Sequence, residues 1–386
     1  MKKVLLRSMS YVLVALAACL LTLVVLERTD RLANSKLDQL QAVIEECYIG
    51  QSDATVMEDA AAAAMVAAIG DRWSGYIPAS EYQDYMDRAN NSYVGVGMTI
   101  RALEEGPGFE VIKVEANGPA AEAGVQAGDV VTAVFGQSVE GMGASDLSAQ
   151  VKGEAGTAVE LTFVRAGEEM TLTIERREIQ TVVAAGRMLK DGVGLVSIYN
   201  FDARCADETI AAIESLLEQG AQKLIFDVRN NPGGYASELV EVLDYLLPEG
   251  PLFRSEYYTG AETVDESDAD CLEVPMAVLI NGDSYSAAEF FAAALEEYDA
   301  AVTVGQPTTG KGYFQTVTRL KDGSAVRLSV GKYTTPNGVS LAEVGGLVPN
   351  VTVEVDAETY AAIAAGILEP EKDPQLQAAV EALAKK

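Results

Sequence analysis

The chain has 386 residues, with 28 Lys and Arg against 58 Asp and Glu, a formal net charge of −30 and no histidine. That length is ample for a sizeable core in two or three domains. The charge argues against nucleic acid and anionic lipid surfaces as partners, and the missing histidine excludes Ser-His-Asp and Cys-His catalysis and any HExxH zinc site.

The N-terminus opens on Lys2, Lys3 and Arg7, followed by the uncharged stretch Met9 to Leu26. Its length and basic flank predict a single-pass signal-anchor, with the N-terminus cytoplasmic and the rest of the chain outside a bacterial cell membrane. Leu16-Ala17-Ala18-Cys19 resembles a lipobox and makes lipoprotein processing at Cys19 the alternative. From Ser35, the apolar residues Leu37, Leu40, Val43, Ile44 and Cys47 recur at helical spacing. A second helix is expected from the capping box Thr55-Val-Met-Glu58 to Gly70, and a third short one from Ser80 through Met86. The four cysteines, Cys19, Cys47, Cys205 and Cys271, are too scattered for a disulfide framework; a Cys205–Cys271 bridge stays open.

Gly95-Val96-Gly97-Met98 has glycines placed so that consecutive N–H groups can face a carboxylate. After it come Asn117-Gly-Pro-Ala-Ala-Glu-Ala-Gly124, Ala127-Gly-Asp-Val-Val-Thr-Ala-Val134, and a hairpin of Val159–Arg165 with Met170–Arg176. That ordered set resembles a protease-type PDZ domain over 91–178, with the loop 95–98 binding the terminal carboxylate of a peptide.

The next region alternates strand and helix: Val193–Phe201, Asp207–Gln219, Lys223–Val228, the glycine turn Arg229-Asn-Asn-Pro-Gly-Gly234, then a helix through Leu247. Alternation of this kind implies βαβ units and an α/β core. The apolar run Ala277–Ile280 leads through Asn281-Gly282-Asp283 to Ser286, which opens an alanine-rich helix. There its hydroxyl lies near free backbone N–H groups and the positive end of the helix dipole, so it is a candidate nucleophile. With no histidine, the base has to be another residue, and Lys311, glycine-flanked and 25 positions on, is the candidate. Gly305-Gln-Pro-Thr-Thr-Gly-Lys-Gly312 is no P-loop, because Gly312 stands where a hydroxyl is needed and strand-like residues follow.

Ser284-Tyr285-Ser286-Ala287-Ala288-Glu289, Gly310-Lys311-Gly312 and Gln315 together resemble the carboxyl-terminal processing proteases, PDZ-containing serine peptidases with a Ser-Lys dyad. The resemblance implies Ser286 as nucleophile, Lys311 as general base and Gln315 as the residue that orients the lysine. It also implies an oxyanion hole from the Gly233-Gly234 turn and the Ala287 N–H. Tyr285, Ala288 and Thr309 depart from the family pattern, as does Asn350 where aspartate is common. The expected fold class is multi-domain α/β: an α/β core of crotonase/ClpP-like type at 179–355, an inserted PDZ domain at 91–178, an N-terminal helical subdomain at 29–90 after the anchor at 1–28, and peripheral helices at 356–386.

The expected function is that of a membrane-anchored extracytoplasmic endopeptidase acting near the free C-termini of protein or peptide substrates. No metal or organic cofactor is implied. The family's N-terminal subdomain often carries a dimer contact, so a homodimer and an activating adaptor are the further partners expected. The competing readings are a catalytically silent PDZ scaffold and an acyl-CoA enzyme of crotonase type, the latter opposed by the PDZ insertion.

Overall fold

The computed structural model describes residues 20–22, 35–103, 106–115 and 117–385. Apart from the helical residues 20–22, the anchor expected at Met9–Leu26 lies outside them, as does Cys19. No helix among the described residues is long and apolar enough to cross a membrane. The chain forms two compact units: the described residues up to Ala79 together with Val317–Leu328, and Ser80–Thr316 together with Ser329–Lys386.

In the first unit, helix Lys36–Cys47 is capped by Ser35, whose Oγ accepts the Asp38 N–H while Asp38 accepts that of Ser35. Helix Ala54–Ala67 begins earlier than the Thr55–Glu58 box implies, because Asp53 is the cap and accepts the Val56 N–H. A carboxylate at the N-cap also answers the helix dipole, so Asp53 outcompetes a threonine two residues later. Strand Gly75–Ile77 pairs antiparallel with residues 325–327.

The second unit is built on a six-stranded sheet in the order Ala184–Met188, Val193–Ile198, Lys223–Asp227, Met276–Ile280, Ala301–Gly305, Val351–Thr352. The first pair is antiparallel and all later pairs are parallel. Parallel neighbours need long crossovers, supplied here by helices Cys205–Glu218, Ala236–Leu246 and Ala287–Glu297. These helices cover one face of the sheet, packing Ile213, Leu216, Leu243, Phe290 and Phe291 on Val196, Ile198, Phe226, Val278 and Ile280. Met276–Ile280 is buried at every residue, as a central parallel strand must be.

The other face corrects the expectation of peripheral C-terminal helices. Helix Pro374–Leu383 lays Leu376, Ala379 and Leu383 on Leu195, Ile225, Ala277 and Leu279. Buried Arg229 fastens its start, bonding Asp373 at 2.8 Å and Asp227 at 2.6 Å. A parallel sheet needs cover on both faces, and no other element among the described residues supplies the second. Cys205 and Cys271 are unpaired, and burial pushes the Cys205 thiol up to about 12.

The PDZ module has its own core of Phe109, Val111, Val131, Leu147, Leu161 and Phe163. Its sheet runs Met98–Ala102, Phe109–Val114, Val130–Val134, Ala158–Arg165, Glu168–Glu175, with Met98–Ala102 at an edge. The expected hairpin turns at Ala166 and Gly167, both at positive φ as a two-residue primed turn requires. Strands Ser92–Gly95 and Arg177–Gln180 pair at its base.

Candidate active site

Ser286 sits at the junction of the strand Met276–Ile280 and the helix Ala287–Glu297, 8% exposed, with φ 61° and ψ −127°. That backbone conformation is costly for a non-glycine residue and persists only where its surroundings hold it. Ser284 does part of the holding. Fully buried, its Oγ donates to the Val228 carbonyl at 2.7 Å and accepts the Asn281 N–H at 3.0 Å. The Tyr285 N–H donates to the Asn231 carbonyl at 3.1 Å, and the Asn281 side chain exchanges bonds with Asn230. The Ser286 turn is thereby tied to the loop after strand Lys223–Asp227.

That loop brings the predicted glycines to the serine. A Cβ on Gly233 would lie 2.6 Å from the Ser286 Cβ and 2.9 Å from the Ala287 nitrogen, so only glycine, here at φ 87°, allows the approach. The Gly233 N–H donates to Asn231 Oδ1 at 2.8 Å. Its carbonyl accepts the Phe201 N–H and the Phe201 carbonyl accepts the Tyr235 N–H, bonds in which the Gly234 N–H takes no part. Gly234 lies flat on Phe201, where a Cβ would meet the Phe201 carbonyl carbon at 2.1 Å.

Glu289 joins the serine turn to the lysine loop. One carboxylate oxygen accepts the N–H groups of Ser286 and Lys311, each at 2.9 Å, and the other accepts the Thr308 hydroxyl at 2.5 Å and the Gly310 N–H at 2.6 Å. Burial pushes this fully buried carboxyl up, and the four donors pull it part of the way back. The glycines flanking Lys311 allow close packing: a Cβ on Gly310 would strike the Gly345-Gly346 backbone, and one on Gly312 would strike Ala342. Lys311 is half-buried, its Nζ 6.0 Å from the centroid of the Tyr285 ring. Gln315 donates from its amide nitrogen to the Tyr313 carbonyl and to Ser329 Oγ, both at 3.0 Å, so any contact it makes with the lysine falls to its Oε1.

In the PDZ module, buried Val96 accepts the Ala120 N–H at 2.8 Å and Gly97 accepts the Glu115 N–H at 2.9 Å. Gly97 has φ 80° and lies against Ile179 and Gly118; Gly95 closes its strand beside the Tyr93 ring. Met98 opens the edge strand and packs on the module's core.

The peptidase family S41 model matches residues 192–353, and the PDZ domain model matches residues 110–165. Over 336 residues the chain is 30% identical to the carboxy-terminal processing protease CtpA of Bacillus subtilis (strain 168), covering 85% of this chain and 71% of that one. The chain belongs to the S41 family of carboxyl-terminal processing peptidases. This S41 chain is also 28% identical over 333 residues to a protein of Staphylococcus aureus (strain N315) named as a CtpA-like serine protease. The match covers 85% of this chain and 66% of that relative, so the chain spans just under two thirds of its length. A solved S41-type structure from Bacteroides fragilis, 17% identical with a TM-score of 0.51, covers 76% of this chain and 83% of its own, and shares the fold.

The roles of three residues at this candidate site escape a reading of the sequence. Tyr333 places its hydroxyl 2.9 Å from Ser286 Oγ, and at 47 positions along the chain nothing in the sequence pairs the two. Asn231 and Ser284 are ordinary turn residues by composition. Their signal, legible only in hindsight, is a run of Asn and Ser around two buried strand ends, where backbone groups need side-chain partners.

Proposed function

We propose that this chain is a serine endopeptidase that cleaves proteins in their C-terminal region, with Ser286 as nucleophile and Lys311 as general base. What carries the reading is the Glu289 carboxylate, which holds the N–H of both residues at 2.9 Å and so fixes the two loops to each other. Unprotonated Lys311 takes the Ser286 proton as Oγ attacks the scissile carbonyl, then returns it to the leaving amine, and water hydrolyses the acyl-enzyme. The Ala287 N–H, first in its helix, and the Gly234 N–H are the donors assigned to the oxyanion, since the Gly233 N–H already bonds Asn231. Gln315 Oε1 is left to orient the lysine.

In the same reading the PDZ module selects free C-termini by adding the peptide to the edge strand Met98–Ala102, with its carboxylate at the 95–98 loop. A physical route joins the two sites. Asn91, at the module's base, bonds Asn200 and the Ala203 carbonyl, which flank Phe201, and Phe201 bonds the Gly233-Gly234 turn. The basic N-terminus and Met9–Leu26 support a membrane anchor with the peptidase outside the cytoplasm. Exposed Leu37, Leu40, Val43, Val56 and Met65 on the N-terminal helices, with Ile69 in the turn just beyond them, support self-association; an activating adaptor rests on the resemblance alone.

The test is a pair of peptides identical except for a free or amidated C-terminus. The acid should be cleaved well and the amide much more slowly, because charge-assisted hydrogen bonds are among the stronger polar contacts. Ser286→Ala and Lys311→Ala should each abolish cleavage of both while remaining folded. Turnover by a folded Lys311→Ala protein would sink the dyad, and a wild-type protein that binds the acid peptide without cleaving it would be a scaffold.

A further inference from the structure

We propose that Tyr333 is a catalytic residue: its hydroxyl donates to Ser286 Oγ, holds that oxygen in place for attack and stabilises it as its proton leaves for Lys311. The inference rests on the reading of Ser286 as nucleophile.

The geometry is direct. Tyr333 Oη lies 2.9 Å from Ser286 Oγ, and the tyrosine is 4% exposed. Its ring is fixed on three sides, 4.4 Å from Phe290 edge-on, 5.1 Å from Phe253 and 6.1 Å from Phe314 in a stack. Phe290 belongs to the helix that Ser286 opens, so the ring packs on the element that carries the nucleophile at its start. The Tyr333 N–H donates to the Gly312 carbonyl at 3.1 Å, one residue beyond Lys311. A single residue therefore touches the nucleophilic oxygen with its side chain and the lysine loop with its backbone. Two positions earlier on the same strand, a Cβ on Gly331 would strike the Phe314 ring at 2.4 Å. Only glycine there admits the ring that stacks on Tyr333.

The direction of the hydrogen bond follows from proton accounting. Among the described residues, Ser286 Oγ is the partner of this hydroxyl, so the phenolic proton has one acceptor. If the serine donated to the tyrosine instead, its proton would be engaged there and not available to the base. A phenol this deeply buried, its pKa pushed far above the ordinary range by desolvation, keeps its own proton. With Tyr333 as donor, Oγ accepts from the phenol and its own proton is free to go to the lysine. In the attack the Oγ–H bond breaks and its proton joins the lone pair of Lys311 Nζ. The Oγ–C bond forms, and the carbonyl π pair moves onto the carbonyl oxygen. Tyr333 transfers nothing; its donated bond strengthens as charge grows on Oγ, which is the differential interaction that catalysis requires.

The experiment is Tyr333→Phe, which keeps the ring and its three aromatic contacts. A hydrogen bond to a developing charge translates into a kcat about 10- to 100-fold lower, with KM within about twofold of wild type and unchanged thermal unfolding. Labelling of Ser286 by a fluorophosphonate should slow in parallel. An unchanged kcat overturns the assignment, and a raised one would show that the bond restrains the serine. Incorporation of 3-fluorotyrosine at position 333 retains the hydroxyl and should keep kcat within about threefold of wild type; a loss as deep as that of phenylalanine also counts against the proposal. Ser286→Ala separates the two claims. Turnover by that variant refutes the nucleophile, whereas an inactive Ser286→Ala beside a fully active Tyr333→Phe refutes only the role of Tyr333.

Discussion

The two loops proposed to offer glycine backbone amides to an oxygen anion are built differently. Around Ser286, the 229–234 and 281–286 loops are cross-braced by buried side chains: Asn281 and Glu289 each make two or more hydrogen bonds across to another segment, and Asn231 and Ser284 each make one across and one within their own loop. The 95–98 loop of the PDZ module is held by backbone bonds from Val96 and Gly97 and by apolar contact with Ile179. A site that stabilises a transition state needs donors fixed to a fraction of an ångström. A site that only captures a chain end gains affinity from strand pairing and tolerates adjustment. Side-chain bracing therefore fits the proposed division between a loop that does chemistry and one that captures a chain end.

The contrast can be broken most severely at Glu289. Glu289→Gln turns part of an all-acceptor hub into a donor facing N–H groups, leaving buried donors of the Ser286 and Lys311 segments unmatched. We expect kcat to fall by at least about 100-fold and the unfolding midpoint by several degrees, seen by peptide cleavage and thermal melting of the same sample. Next comes Asn231→Ala, which strips the partners from the Gly233 N–H and the Ile198 carbonyl. A loss of about 10- to 100-fold, in kcat more than in KM, is expected; a change confined to KM would mean that the loop serves binding and not the oxyanion.

Gly97→Val tests the softer loop. Its φ of 80° and the nearby Ile179 and Gly118 leave a branched side chain strained and crowded. The acid peptide should lose about tenfold in kcat/KM, and the amide peptide should change little. Equal losses for both would show that the loop does not read the carboxylate. The smallest effect is expected at Asp202, beside Phe201, where burial and the neighbouring Glu238 push the carboxyl up to about 7. Because the folded state holds this proton more tightly than the unfolded chain, stability is full below about pH 4 and declines as pH rises towards 7. Asp202→Asn should therefore melt a few degrees above wild type at pH 8 and match it near pH 4; a gap that does not close on acidification would rule this out.

Much of the molecule was legible in the sequence. The strand–turn–helix around Ser286, the glycine turn at 233–234 and the PDZ hairpin are set by contiguous patterns: apolar runs of strand length, glycines at positive φ, and helix formers after a small polar residue. Local patterns carry local structure because backbone sterics and hydrogen bonding within a few residues suffice to select it. The choice of lysine as the candidate base followed from composition, since a chain without histidine has few alternatives. Only tertiary structure decided what spans long separations. Helix Pro374–Leu383 reads as a peripheral amphipathic segment until the second face of the sheet is seen to need cover. Asp53 took the cap from Thr55 by a small difference in capping strength. Tyr333 meets Ser286 because strand pairing fixes Tyr333 opposite Ser255 and three aromatic rings aim its hydroxyl. Such a contact depends on register and packing summed over distant segments, and no periodicity along the chain records it.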